Sequence, residues 1–178
     1  LAKILLSELN SQKCVAYLTQ TKGFLPDEYR AKIGNRIYGC DTCQTVCPKN
    51  KGKSNWIHEA FKPDPEVAKP LLEPLLAISN RDFKETYGHI SGSWRGKKPI
   101  QRNAIIALAH FKEVSALPTL IEVFQKDERP VIRGTAAWAI GKIGGKEVEE
   151  VLREGLIREK DEEVQLEIQK GLAFISGQ

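Results

Sequence analysis

Three of the four cysteines stand within Tyr38-Gly39-Cys40-Asp41-Thr42-Cys43-Gln44-Thr45-Val46-Cys47-Pro48. Thiolates crowded this closely converge on one small volume, as a metal centre requires. The spacing C-x2-C-x3-C-P repeats the last three cysteines and the closing proline of the iron–sulfur run C-x2-C-x2-C-x3-C-P. Cys14, 26 residues before Cys40, is the natural further ligand. Four thiolates would also satisfy a structural zinc ion. Zinc favours paired C-x2-C hooks, however, and here there is one hook, so iron–sulfur chemistry is the expectation; zinc and inert thiols are the alternatives. In two-cluster ferredoxins the cysteine before proline ligates the other cluster. On that rule Cys14, Cys40 and Cys43 serve one cluster and Cys47 a second. The missing ligands then come from another cysteine run upstream of Leu1.

A second chemistry is written in Ser91-Gly92-Ser93-Trp94-Arg95-Gly96-Lys97-Lys98, which leads into Gln101-Arg102. It joins an aromatic plate to four cations, with no acid among them. Lys and Arg neutralise phosphates, and unpaired bases stack on Trp or Arg. The plainer alternative is a solvated linker whose Trp94 packs down on the helices that follow. Lys22, Lys49, Lys51, Lys53, Arg81 and Arg133 could extend such a surface. Asp41 sits between two cysteines, where its carboxylate either serves the site or merely caps the loop. His58, His89 and His110 are scattered, and His110 reads as structural. No Ser/His/Asp triad, phosphate-binding glycine loop or paired carboxylate site is present, so no catalytic residue is assigned.

The elements that position these residues are helical. Leu1, Leu5, Leu6 and Leu9 fit one helix face. Ser11 is a candidate cap for a turn carrying Cys14, Tyr17 and Leu18. Pro26-Asp27-Glu28 opens a short helix that Gly34 closes. Apolar residues over Glu66–Ile78 are interrupted by Pro70 and Pro74. Asn80 would cap Arg81–Tyr87, and His89–Lys98 reads as an exposed loop. From Pro99 the chain repeats with a period of 32 residues: Ala104–Phe111, Ala136–Ile143 and Ile168–Ile175 align, as do Leu120 and Phe124 with Leu152 and Leu156. Ala107, Ala139 and Gly171 place small side chains where helices would approach closely. Such helix–turn–helix units bury their apolar faces only by stacking into a solenoid.

The totals agree with a soluble globular chain: 178 residues, 41% hydrophobic and 28% charged. No apolar run reaches the roughly 20 residues a membrane helix needs. Thiols with metal-site spacing point to a reducing compartment, the cytoplasm. The chain has no Met and begins with Leu, so it is expected to start inside a longer protein. Glu147–Lys170 holds nine acids and four bases, a net of −5, against +4 for the whole. The front and middle are therefore strongly basic and expected to meet an anion.

Taken together, Cys14–Gly23, Ile37–Pro48, Gly92–Gly96 and the HEAT-like repeats resemble the epoxyqueuosine reductase family over essentially the whole chain. The resemblance implies reduction of epoxyqueuosine to queuosine in tRNA, with cobalamin and two [4Fe-4S] clusters. Cys14, Cys40, Cys43 and Cys47 would be the metal ligands, and Ala16, Thr19, Gln20 and Asp41 would lie against the cobalamin. Gln20, Lys22, Arg81, Trp94, Arg95, Lys97, Lys98, Arg102 and Arg133 would face the tRNA anticodon stem-loop. The cobalamin-binding domain, its proton-donating acid and the first cysteine run would precede Leu1, leaving this part inactive alone. The expected organisation is a mainly α chain: a ferredoxin-like iron–sulfur region over 1–62, connecting helices and basic loop over 63–98, and an α-α superhelix over 99–178. An electron donor protein is an implied partner, and the protein is expected to be a monomer. The rival is an electron-transfer ferredoxin module on a protein-binding repeat scaffold, which would show no affinity for RNA.

Overall fold

The computed structural model describes residues 10–53, 59, 62–145 and 147–177, and among them every regular element is helical. The expected helix over residues 1–9, and His58, lie outside the described residues. The Asn10 side chain accepts from the Gln12 amide and starts a 3-10 turn over Ser11–Lys13, one residue ahead of the expected cap. Helix α1 (Val15–Leu18) follows, with Cys14 at its N-cap. Helix α2 (Asp27–Ile33) carries Asp27 and Glu28 in its first turn and ends on Gly34 at φ 57°, as the capping pattern requires. Helix α3 (Thr42–Thr45) lies inside the cysteine run.

Helices α4 (Pro65–Ala68) and α5 (Leu72–Ala77) fill the stretch with interrupting prolines. Pro74 is the third residue of α5, where no intrahelical N–H is lost, so the helix forms around it. Helix α6 (Asn80–Tyr87) is capped by Ser79, not Asn80: Ser79 Oγ accepts from the Asp82 amide at 3.0 Å. The segment expected as an exposed loop is largely helical. A 3-10 turn over Ser91–Arg95 runs into Gly96 at φ 76°, and α7 (Lys97–Phe111) starts immediately.

The 32-residue period is the solenoid. Helices α7, α9 (Pro130–Ile143) and α11 (Glu162–Ser176) stack as the first helices of successive repeats, with α8 (Leu117–Lys126) and α10 (Val148–Arg158) as their partners. Ile105, Leu120, Ile140, Leu152 and Ile168 are fully buried. Each such side chain contributes roughly 1.5–3 kcal/mol by leaving water. Gly171 stands at a close helix approach as expected, against Gly141 and Ala137 of α9. A methyl on Gly141 would sit 2.3 Å from the Gly171 Cα.

The front of the chain is part of the same core, through Leu18, Leu25 and Ile33. Polar contacts tie it to the solenoid, and Phe24 packs on Gly134 of α9. Arg30 of α2 pairs with Glu167 of α11, and its guanidinium also lies 4.6 Å from the Trp138 ring centre. The start of α7 reaches the front loops through Arg102 and Asn103, both buried, while the neighbouring buried Gln101 donates to the Leu75 and Leu76 carbonyls of α5.

Candidate cluster loop and nucleic-acid face

The cysteines sit on two segments that α7 fastens together. Asn103, with no exposed surface, donates from Nδ2 to the carbonyls of Thr19 and Ile37, both at 2.8 Å. The first follows the Cys14 helix and the second precedes Cys40. Thr19 adds a direct link: its Oγ1 accepts from the Gly39 amide at 3.0 Å and donates to the Ala16 carbonyl at 2.8 Å. Cys14 and Cys43 are exposed, Cys40 and Cys47 partly so, and none is in a disulfide. Soft thiolates of this kind suit an iron–sulfur cluster. Among the described residues, no three His, Cys, Asp or Glu side chains form a set that could hold a metal ion.

Around Cys40 the electrostatics favour the thiolate. Hydrogen bonding with Thr42, whose Oγ1 lies 3.2 Å from Sγ, holds the thiol below its ordinary range, and Arg36 adds to the effect. Arg36 itself donates to Thr42 Oγ1 at 3.1 Å. Asp41 is exposed at the N-cap of α3 and its carboxylate makes no capping bond. The loop is held instead by the Asp41 carbonyl, which accepts from Thr45 Oγ1 and from the amides of Gln44 and Thr45. The capping alternative for the Asp41 side chain is thus set aside.

The basic edge adjoins this loop. The Tyr38 ring lies on Gly92, where a Cβ would come within 3.0 Å of it. Trp94 does not pack down on the repeats: it is 62% exposed. Its Nε1–H donates to Gln20 Oε1 at 3.0 Å, while Gln20 Nε2 donates to the Ala16 carbonyl at 2.9 Å. Arg95 stacks over the indole with its Cζ 4.0 Å from the ring centre. Tyr17, Gln20, Thr21, Lys22, Trp94 and Arg95 line a groove of about 560 Å³. Lys22, Arg95 and Lys98 border a smaller one of about 250 Å³ beside it.

Four expected RNA-facing cations stand differently. Arg102 is 1% exposed and donates to the carbonyls of Leu18, Thr21 and Gly23, so it braces the loop under the basic edge. Burial, with nearby Arg30, pushes its pKa down to about 10. Arg133 is bound to Glu159 through Nε and Nη2, at 2.6 and 3.1 Å. Lys97 donates to the Ile78 carbonyl at 2.6 Å and is half-buried. Arg81 is exposed but paired with Glu85 at 3.0 Å. Lys22, Arg95 and Lys98 remain exposed together. Thr19 is likewise buried, its hydroxyl spent on backbone groups. Sequence reasoning missed Asn103 and Tyr38 as positioning residues. The front loops make Arg102 and Asn103 interior, and the α5 carbonyls do the same for Gln101.

Comparison with known proteins agrees with both halves of the chain. A family described as a 4Fe-4S double cluster binding domain matches residues 2–50, and HEAT repeats match residues 96–173. The chain is similar to epoxyqueuosine reductase of Bacillus subtilis, at 70% identity over 94% of this chain and 44% of that protein. The Escherichia coli epoxyqueuosine reductase is 33% identical over 75% of this chain and 35% of its own length. An uncharacterised Geobacillus stearothermophilus protein is 67% identical and matched over 78% of its length. Among solved structures, epoxyqueuosine reductase with a tRNA-Tyr epoxyqueuosine-modified stem loop superposes with a TM-score of 0.91 at 70% identity, over 94% of this chain and 45% of that one. The Streptococcus thermophilus enzyme gives 0.84 at 41% identity, over 93% and 44%. The chain thus spans less than half the length of the epoxyqueuosine reductases it matches.

Proposed function

The chain belongs to the epoxyqueuosine reductase family, and from that premise we propose that it is the C-terminal part of an enzyme converting epoxyqueuosine to queuosine in tRNA. Its contribution is an iron–sulfur electron relay and a tRNA docking edge. One observation carries the reading: the Trp94–Gln20 hydrogen bond joins the exposed basic edge to the segment that begins at Cys14. A redox loop and an anion-binding edge with no acid lie side by side.

Removing an epoxide oxygen as water consumes two electrons and two protons. Cys14, Cys40 and Cys43 would hold one [4Fe-4S] cluster and Cys47 part of a second, with upstream ligands completing both. Bound clusters supply one-electron transfer. The donor set suits them in ligand type, four thiols outside any disulfide on segments that Asn103 and Thr19 tie together, although the described residues bring no three such ligands to one point. For cobalamin, which would be bound mainly upstream and supply a nucleophilic cobalt, the exposed Asp41 carboxylate and the Ala16–Gln20 backbone are the groups offered here. Thr19 and Gln20 shape that backbone, their side chains being engaged with Ala16, Gly39 and Trp94. Lys22, Arg95 and Lys98 hold tRNA phosphates. Among the described residues no helix is long and apolar enough to cross a membrane. The reading places the protein in the cytoplasm, as a monomer served by an electron donor protein.

The test is metal content and turnover, on this chain and on the full-length protein after anaerobic preparation. The expected full-length result is about eight irons and conversion of an epoxyqueuosine-bearing anticodon stem-loop. This chain alone should hold less iron and turn nothing over. One zinc and no iron in both forms would remove the electron relay; turnover by the chain alone would remove the dependence on upstream residues.

A further inference from the structure

We infer that the groove lined by Tyr17 and Trp94 is a cleft for one unpaired nucleobase of the bound RNA, with Gln20 as the residue that sets its wall. The inference rests on the proposed RNA partner and says which part of it this surface takes. The two aromatic side chains are 48% and 62% exposed, and they line one groove of about 560 Å³. That size falls in the range of small-ligand clefts. Arg95 covers one face of the indole, so a base can stack only on the other.

Both polar ends of the Gln20 amide are already used, by the Trp94 N–H and the Ala16 carbonyl. Gln20 therefore has little left with which to read a base edge, and its effect is to fix the plane of Trp94. Recognition by this cleft is by stacking, which tolerates any base. Lys22, Arg95 and Lys98 border the adjoining groove of about 250 Å³, where the flanking phosphate would sit. An RNA whose bases are all paired can offer the phosphate but not the base. The surface thus distinguishes a loop from a duplex.

The experiment measures binding of full-length, cluster-loaded protein to an RNA stem-loop and to a fully paired duplex of equal charge. Trp94→Ala and Tyr17→Ala should each weaken the stem-loop about tenfold and leave the duplex unchanged. Lys98→Ala should weaken both alike. Gln20→Leu, which removes the acceptor for the indole N–H, should lose part of the stem-loop preference. Circular dichroism confirms that each variant folds. If Trp94→Ala and Tyr17→Ala lower both affinities equally, or neither, the base cleft is wrong while RNA docking stands. If the parent protein binds neither RNA, the docking reading falls and this inference with it.

Discussion

Arg30 grips Glu167 with two parallel hydrogen bonds, at 2.6 and 2.8 Å, between side chains that are 2% and 5% exposed. This pair joins the short helix before the cysteine run to the last helix of the solenoid, 137 residues later in the chain. Lys170 reaches both Glu167 and Asp27 at 2.8 Å, making the contact a small network. Removing one partner strands a charge in the interior. Glu167→Ala should therefore cost about 3–5 kcal/mol in urea unfolding, and replacing both Arg30 and Glu167 by apolar residues should recover much of that. A loss in the double variant as large as in the single one would mean that packing, not stranded charge, sets the cost.

That contact was not legible in the sequence, and the reason is general. The period of 32 residues, the Asp27/Glu28 start and the Gly34 stop are local patterns, and all three stand in the structure. The cysteine spacing is local too. Arg30, Arg102 and Asn103 are polar residues whose burial depends on segments distant in sequence. Local pattern assigns them to solvent, and tertiary packing overrides it. Trp94 shows the converse: it stays 62% exposed although its Nε1–H reaches Gln20 from a distant part of the chain.

Asn103 is the next test, because it holds the two cysteine segments in register. Asn103→Ala leaves the carbonyls of Thr19 and Ile37 without that donor, at roughly 1–3 kcal/mol for each group left unsatisfied. The expected outcome is a lower melting temperature together with a lower iron content per chain. Asn103→Asp should be worse, since a carboxylate faces two carbonyl oxygens. Full iron loading in Asn103→Ala would show that the clusters do not need this clamp.

Helix packing in the solenoid gives a steric prediction. A Cβ at Gly141 would lie 2.3 Å from the Gly171 Cα, and one at Gly171 would lie 2.8 Å from the Ala137 carbonyl oxygen. Both obstacles are backbone, so α9 and α11 must separate. Gly141→Ala should cost at least about 1–3 kcal/mol by overpacking. An unchanged denaturation midpoint would show that the helices slide apart freely.

The acidic last repeat has a pH signature. The Arg133 guanidinium, hydrogen-bonded to Glu159, holds that carboxyl below the usual range, and amides of Lys160 and Asp161 add to the effect. A carboxyl whose folded pKa is depressed adds stability above its unfolded value, about 4.3. That stability is lost as the pH falls through the folded value. Glu159→Gln should be less stable than the parent at neutral pH and should lose less on acidification. Parallel pH curves for the two proteins would exclude a role for Glu159 in acid sensitivity.

Lys98 and Arg102 separate docking from bracing. Lys98 is exposed and borders the basic groove, whereas Arg102 is buried beneath it, spending its guanidinium on three backbone carbonyls and Asn103. Lys98→Ala should leave the melting temperature unchanged. It should also lower the slope of log affinity for RNA against log salt by about 0.7–0.9, the share of one phosphate contact. Arg102→Ala should lower stability by about 3 kcal/mol as three carbonyls lose a charged donor. It should weaken RNA binding only as far as the loop carrying Lys22 is displaced, so the salt slope should hold. Its pKa of about 10 keeps Arg102 charged at neutral pH, so Arg102→Lys tests geometry rather than charge. Lys cannot reproduce the planar fork, and the variant should destabilise nearly as much as Ala. A stable Arg102→Ala protein with a reduced salt slope would return Arg102 to the RNA-contacting surface.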